Sequence, residues 1–167
     1  NKSGIYEIKD GRIIIDLDVS SLYPSIAVTL GLYPEHLGKE FLEVYGWMVK
    51  TRLIEKAKPK DQRDNVIING FKLALNGSYG KTGEETSFLY DPLYKYKTTI
   101  AGQLFICMWL ERICNQLNNV EIIQVNTDGI SIIIDENQLE LCRNINNDLT
   151  KLTNLEIEET FYDKMIV

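Results

Sequence analysis

Two aspartates, Asp16 and Asp18, close a short apolar run, Ile13-Ile14-Ile15, and Ser20, Ser21, Tyr23 and Pro24 follow at once. The β-branched run predicts a strand buried on both faces. A carboxylate where such a strand turns has two ordinary uses: it can hold a divalent cation through oxygen, or cap the next helix. A second set lies at Lys72, Asn76 and Tyr79. Its i, i+4, i+7 spacing sets all three on one face of a predicted helix, and Lys72 offers a point charge to a phosphate oxygen. Arg52 and Lys56, four apart, form a basic ridge that is either a phosphate contact or a solvated helix face. A third set straddles Asn126-Thr127-Asp128-Gly129, where side chains two apart face the same side of a strand.

The elements that carry these sets follow from the pattern. Ile5 to Ile8 and Arg12 to Asp18 predict two strands turned at Asp10-Gly11, a favoured hairpin dipeptide. Ser21 to Leu30 predicts a helix ended by Gly31 and Pro34. Lys39 to Lys58, with Phe41, Tyr45 and Met48 on one face, predicts a second helix, broken at Pro59. Asp61 and Asp64 suit a cap and its third-position acid before a third helix that ends near Tyr79 at Gly80. The two make an antiparallel helical hairpin, against a competing β-turn at Asn76-Gly77. Residues 82–96 are loop-like; Thr98 to Leu117 predicts a strong amphipathic helix. Val120 to Val125 and Ile130 to Ile134 predict a β-hairpin. Leu139, Cys142, Ile145, Leu149 and Leu152 stripe another helix, and Leu155 to Glu159 and Lys164 to Val167 read as closing strands.

Composition narrows the function. The 167 residues carry a net charge of -6, which excludes an indiscriminate nucleic-acid binder. Charge is uneven: Lys50, Arg52, Lys56, Lys58, Lys60 and Arg63 cluster against Glu55, Asp61 and Asp64, a basic projection suited to a local phosphate contact. Cys107, Cys114 and Cys142 lack CxxC spacing and are expected as buried free thiols in a reducing, cytoplasmic setting. His36 is expected on the surface. No run has the length of a membrane span. A start at Asn1 without a signal-peptide pattern suggests a piece of a longer chain.

Three stretches carry a family resemblance. DVSSLYPSI from Asp18 resembles the first polymerase motif of family B DNA polymerases. KLALNGSYG, Lys72 to Gly80, resembles the family's KxxxNSxYG, departing at Gly77. VNTDGISI, Val125 to Ile132, resembles its DTDS hairpin, with Asn126 for the first Asp and Gly129 for the Ser. The resemblance implies that Asp18 and Asp128 are the catalytic metal-binding acids, joined by the backbone of Val19. It implies nucleotide contacts at Ser20, Ser21, Leu22, Tyr23, Arg52, Lys56, Lys72, Asn76 and Tyr79. Tyr23 would lie under the incoming sugar, unless it is a core aromatic. Asn126 and Glu158, within LEIEETFY, would sit behind the direct ligands; a plain surface role for Glu158 stays open.

The fold implied is α+β: an antiparallel palm sheet packed on helices, with an inserted helical-hairpin fingers subdomain. The palm would hold residues 1–36 and 85–167, the fingers 37–84. The function implied is DNA-directed DNA polymerase chemistry on primer-template DNA and dNTPs. Two Mg²⁺ ions, with Mn²⁺ as a substitute, would serve as cofactors. Exonuclease and thumb domains would belong to the parent chain, and no membrane is involved. Short intervals between the motifs suggest a phage or mobile-element type, in a bacterial cell or phage-infected host. The alternatives are a non-catalytic remnant that binds DNA or a partner, and another palm-type polymerase using RNA or ribonucleotides. This piece alone is expected to be weak or inactive.

Overall fold

The structure is a computed structural model that describes residues 3–9 and 11–167, and it is α+β with antiparallel sheets. The chain forms two compact units, one of the residues up to Ser20 with Gln103–Val167, the other of Ser21–Gly102.

Strand β2 (Arg12–Val19) is the axis of the first unit. It pairs antiparallel with β4 (Gly129–Asp135) on one edge and β5 (Ile157–Tyr162) on the other, and β3 (Glu121–Val125) extends the sheet beyond β4. Ile14, Ile15 and Leu17 are fully buried, as the apolar run predicts. The expected hairpin of the first two strands does not form. β1 (Ile5–Glu7) pairs instead with β6 (Lys164–Ile166) in a separate ribbon. Both edges of β2 are already hydrogen-bonded, so β1 has no edge to join. Asp10 lies outside the described residues; Gly11, with φ +76°, supplies the left-handed backbone of the connection.

Alternation sorts the faces of this sheet. Ile14, Asp16 and Asp18 share one face, Ile15, Leu17 and Val19 the other. On the first face Ile14, Ile123 and Ile133 form an apolar cluster, sealed by Tyr6, Met165 and Val167. The end of that face carrying Asp18 is exposed. The second face carries helices. Glu159, register partner of Leu17, accepts from Arg143 Nε of α5 (Leu139–Thr153) at 3.1 Å. Trp109 of α4 (Pro92–Gln116), fully buried, donates to Asn146 Oδ1 at 2.9 Å. Cys142, Ile145 and Leu149 are buried as their stripe predicts, and burial pushes the Cys142 thiol up to about 11. Leu152, the last of the stripe, is exposed.

Cys107 and Cys114 correct the sequence reading: both are exposed. α4 is apolar on more than one side, and the bulky side chains decide which side goes in. Phe105, Trp109 and Ile113 are buried, whereas Ile100 and Leu104, in phase with the cysteines, are exposed.

The second unit is helical. α1 (Leu22–Leu30) stops at Gly31, α2 (Glu40–Ala57) and α3 (Asn65–Lys81) make the expected hairpin, and the first turns of α4 complete it. Ala27, Tyr45, Val49, Leu75 and Tyr94 share its core, with Phe41 and Met48 packed against them. Tyr45 donates to Leu75 O at 2.8 Å. Burial raises the pKa of Tyr45 and pushes Tyr94 up to about 12. α3 runs through Asn76-Gly77 without a β-turn and past Gly80 to Lys81. Its cap is Asp64, which accepts from Val66 N at 2.9 Å; Asp61 lies in a preceding 3-10 turn. α4 begins at Pro92, six residues before the predicted start, because Asp91 caps it by accepting from Tyr94 N at 2.9 Å. His36 is exposed, its Nε2 within 2.8 Å of Phe88 O. Among the described residues no helix is long and apolar enough to cross a membrane.

The tip of the α2–α3 hairpin closes on Glu55, which is 6% exposed. Its Oε2 meets Lys58 Nζ at 2.6 Å, and its Oε1 accepts from Asp64 N at 2.8 Å. The Lys58 bond first, and the Asp64 N–H second, hold its carboxyl below the usual range against the effect of burial. A depressed folded pKa stabilises above the unfolded pKa, and that gain is lost as pH falls through the folded value. Glu55→Gln should therefore be less stable than the native protein near neutral pH, with the difference vanishing below the carboxylate range. Denaturation at both pH values checks this; an equal difference at both would refute it.

Candidate functional site

At the exposed end of β2, three backbone contacts converge. Asp18 faces Gly129 across β4 and Glu158 across β5. Val19 N donates to Asp128 O at 2.8 Å, and Ser20 N to Glu156 O at 2.9 Å. Asn126 N donates to Gly129 O at 2.8 Å, which closes the β3–β4 loop. The register thus sets Asp18 beside Glu158, and the Val19 bond ties the Asp128 backbone to the same strand end. Asp18, Asp128 and Glu158 are all exposed. Asn126 is exposed in the same loop.

Among the described residues no three His, Cys, Asp or Glu side chains are grouped to hold a metal. Mg²⁺ does not require such a cage. It keeps several waters and binds through one or two carboxylates plus substrate phosphate oxygens. The donor chemistry here, exposed carboxylates at a strand end, fits that mode and would not suit a soft metal.

Next to this end runs a polar row absent from the sequence reading. Ser131, fully buried, donates to Asp16 Oδ1 at 2.5 Å and accepts from Gln124 Nε2 at 3.2 Å. Asp16 and Ser131 are register partners, and a bulge between Ile122 and Gln124 turns Gln124 to their side. Asp16 stands out in the sequence beside Asp18, but its partners do not, since nothing in the sequence flags the bulge.

The helical unit carries the remaining candidates. Tyr23 and Tyr79 stack, with centroids 4.3 Å apart and planes 13° apart. Tyr79 Oη lies 2.6 Å from Thr99 Oγ1, and Lys95 Nζ sits 5.7 Å over its ring. Burial raises the Tyr79 pKa, opposed by the Thr99 bond. Gly102 gives this packing room: a Cβ there would lie 3.2 Å from the Tyr23 ring. Lys72 and Asn76 are exposed on α3, Leu22 is buried and Lys56 is half-buried. Arg52 is 5% exposed, so it is no part of a solvated face. It donates to Ser21 Oγ, and to Ile68 O at 3.2 Å. Ser21, at φ +53°, holds a left-handed backbone at the start of α1.

No protein-family model matches the chain, and no curated protein matches it. Solved structures do. The chain superposes on the family B DNA polymerase of the hyperthermophilic archaeon Pyrobaculum calidifontis with a TM-score of 0.71 and 17% identity, over 99% of this chain. It spans 25% of that polymerase. The likeness is one of fold, that of a portion of a family B DNA polymerase.

The Arg52–Ser21 bond offers a direct test. Ser21→Ala removes one acceptor of a buried guanidinium while keeping the left-handed backbone. A hydrogen bond to a charged group is worth about 1.5–3 kcal/mol, and the variant should lose that much in chemical denaturation. A loss within about 0.5 kcal/mol, the range of surface substitutions, would count against it.

Proposed function

We propose that this chain is the palm-and-fingers portion of a DNA-directed DNA polymerase of family B, of phage or mobile-element type. In this reading residues 1–36 and 85–167 are palm and 37–84 are fingers. The observation that carries it is the register at the end of β2: Asp18 flanked by Gly129 and Glu158, with Val19 bonded to Asp128, in a chain with a polymerase fold.

The roles are those the family resemblance implies, and the chemistry of the side chains suits them. Asp18 and Asp128 would hold two Mg²⁺, with the Val19 backbone beside them and Asn126 and Glu158 behind. Bound Mg²⁺ lowers the pKa of a hydroxyl nucleophile and neutralises charge on a transferring phosphate. Lys72 and Lys56 would supply positive charge to a triphosphate directly, and Arg52, buried and bonded to Ser21, would add its charge from behind. Ser20, Ser21, Leu22 and Asn76 would complete the nucleotide contacts. Tyr23, backed by Tyr79, would press on the sugar and leave no room for a 2′-hydroxyl. Primer-template DNA and dNTPs are the partners, together with exonuclease and thumb domains of a longer parent.

The acids give the decisive experiment. An amide offers one neutral oxygen, so Asp128→Asn in the full-length parent should abolish Mg²⁺-dependent primer extension. Asn126→Asp should remain active, with a shifted metal optimum. A native protein that is already inactive, and unchanged by Asp128→Asn, would instead favour a non-catalytic remnant.

Tyr23 gives the second. Tyr23→Ala in the parent should raise ribonucleotide over deoxynucleotide incorporation, read as the ratio of kcat/KM values. An unmoved ratio would make Tyr23 a packing residue in its stack with Tyr79.

A further inference from the structure

Two glycines stand where the family pattern has serine, Gly77 and Gly129, and their surroundings differ. A Cβ added at Gly77 would meet nothing within 4 Å. A Cβ at Gly129 would lie 2.5 Å from Leu17 O, 2.6 Å from Asp18 Oδ1 and 3.2 Å from Asp18 Cα. Gly129 is buried. It is not one of the glycines with positive φ, so backbone freedom does not explain it. Space does: the Asp18 carboxylate occupies the volume that a side chain at 129 would fill.

We propose that Gly129 is a positioning residue for Asp18. The missing side chain lets the carboxylate lie against β4, one residue from Asp128, while Leu17 and Asp18 keep their register with Ile130 and Gly129. Any Cβ at 129 must move either the β4 backbone away from Leu17 O or the carboxylate away from its seat. The family's own serine is thus not a restoring substitution in this chain, although at position 77 it would fit. The metal part of this inference rests on the polymerase reading; the seating of Asp18 does not.

The seating is tested by thermal midpoints of the full-length protein, without DNA or metal, for the native chain, Gly129→Ala, Asp18→Ala and the double variant. The clash with Leu17 O is common to both backgrounds, while the clash with Oδ1 exists only with Asp18 present. Gly129→Ala should lower the midpoint in the native background and lower it less in the Asp18→Ala background. Equal losses, or no loss in either, overturn the inference. If Gly129→Ala does not fold, a folded double variant supports it, and failure of both overturns it.

Mn²⁺ binding, followed by electron paramagnetic resonance, adds a readout that a merely structural glycine would not move. Gly129→Ala should bind Mn²⁺ about 10-fold or more weakly, the scale typical of residues that orient ligands, with Gly77→Ala unchanged. Unweakened binding in Gly129→Ala overturns the positioning role, and a native protein that binds no Mn²⁺ overturns it together with the metal site. A native protein that binds Mn²⁺ but extends no primer refutes only the polymerase reading.

Discussion

Strand β2 gives both of its edges to pairing and both of its faces to burial, and most of the first unit follows from that. β4 and β5 take the edges, so β1 must find its partner in β6. The β1–β6 ribbon then serves a different purpose, with Tyr6 and Met165 packed on Ile14, Ile123 and Ile133. An apolar lid at one end of that face leaves polar side chains for the other. The strand is held firmly where it is buried, and its last residues inherit that order. Val19 and Ser20 donate to the segments on either side, so the exposed Asp18 is carried on backbone fixed from both sides.

The helical unit solves a related problem with charge. Arg52 and Glu55 are both buried on α2, and each is satisfied by atoms outside its own helix. Arg52 reaches Ser21 and Ile68; Glu55 reaches Asp64 across the hairpin turn. Buried charges without such partners would cost more than the helices gain by packing. The Arg52–Ser21 bond holds the turn into α1, where a non-glycine residue adopts a left-handed backbone that ordinarily costs about 1–2 kcal/mol. The basic patch that composition suits to a local phosphate contact therefore has one member tied into the fold.

What the sequence reveals and what it hides follow physical lines. The central strand, the hairpin at Asn126–Gly129 and the α2–α3 pair are legible because apolar periodicity and turn chemistry act over a few residues. The fold class follows from them. The partner of β1 is not legible, since Asp10-Gly11 is a sound local hairpin signal defeated by competition for a strand edge 120 residues away. The buried side of α4 is not legible, because its cysteines share a phase with Ile100 and Leu104, while the bulk of Phe105, Trp109 and Ile113 decides burial. The start of α4 was legible in principle, as Asp91-Pro92 is a cap followed by the proline that suits a first turn. Of the candidate site, the acids stand out by residue type. The Asp16–Ser131–Gln124 row depends on a bulge and on pairing, which no local pattern encodes.

The two departures in the third motif bear on each other. Asn126 and Gly129 are joined by the 2.8 Å bond from Asn126 N to Gly129 O, so both flank the same two-residue turn that presents Thr127 and Asp128. A serine at 129 would intrude on the Asp18 carboxylate; a carboxylate at 126 would add negative charge to a loop whose neighbours across β2 are Asp18 and, beyond it, Glu158. With an amide at one end and no side chain at the other, the loop keeps its hydrogen-bonded closure, and Asp18 and Asp128 remain its acids. The amide at 126 and the absent side chain at 129 thus act on the same turn: one limits the charge of the loop, and the other leaves the Asp18 carboxylate its space.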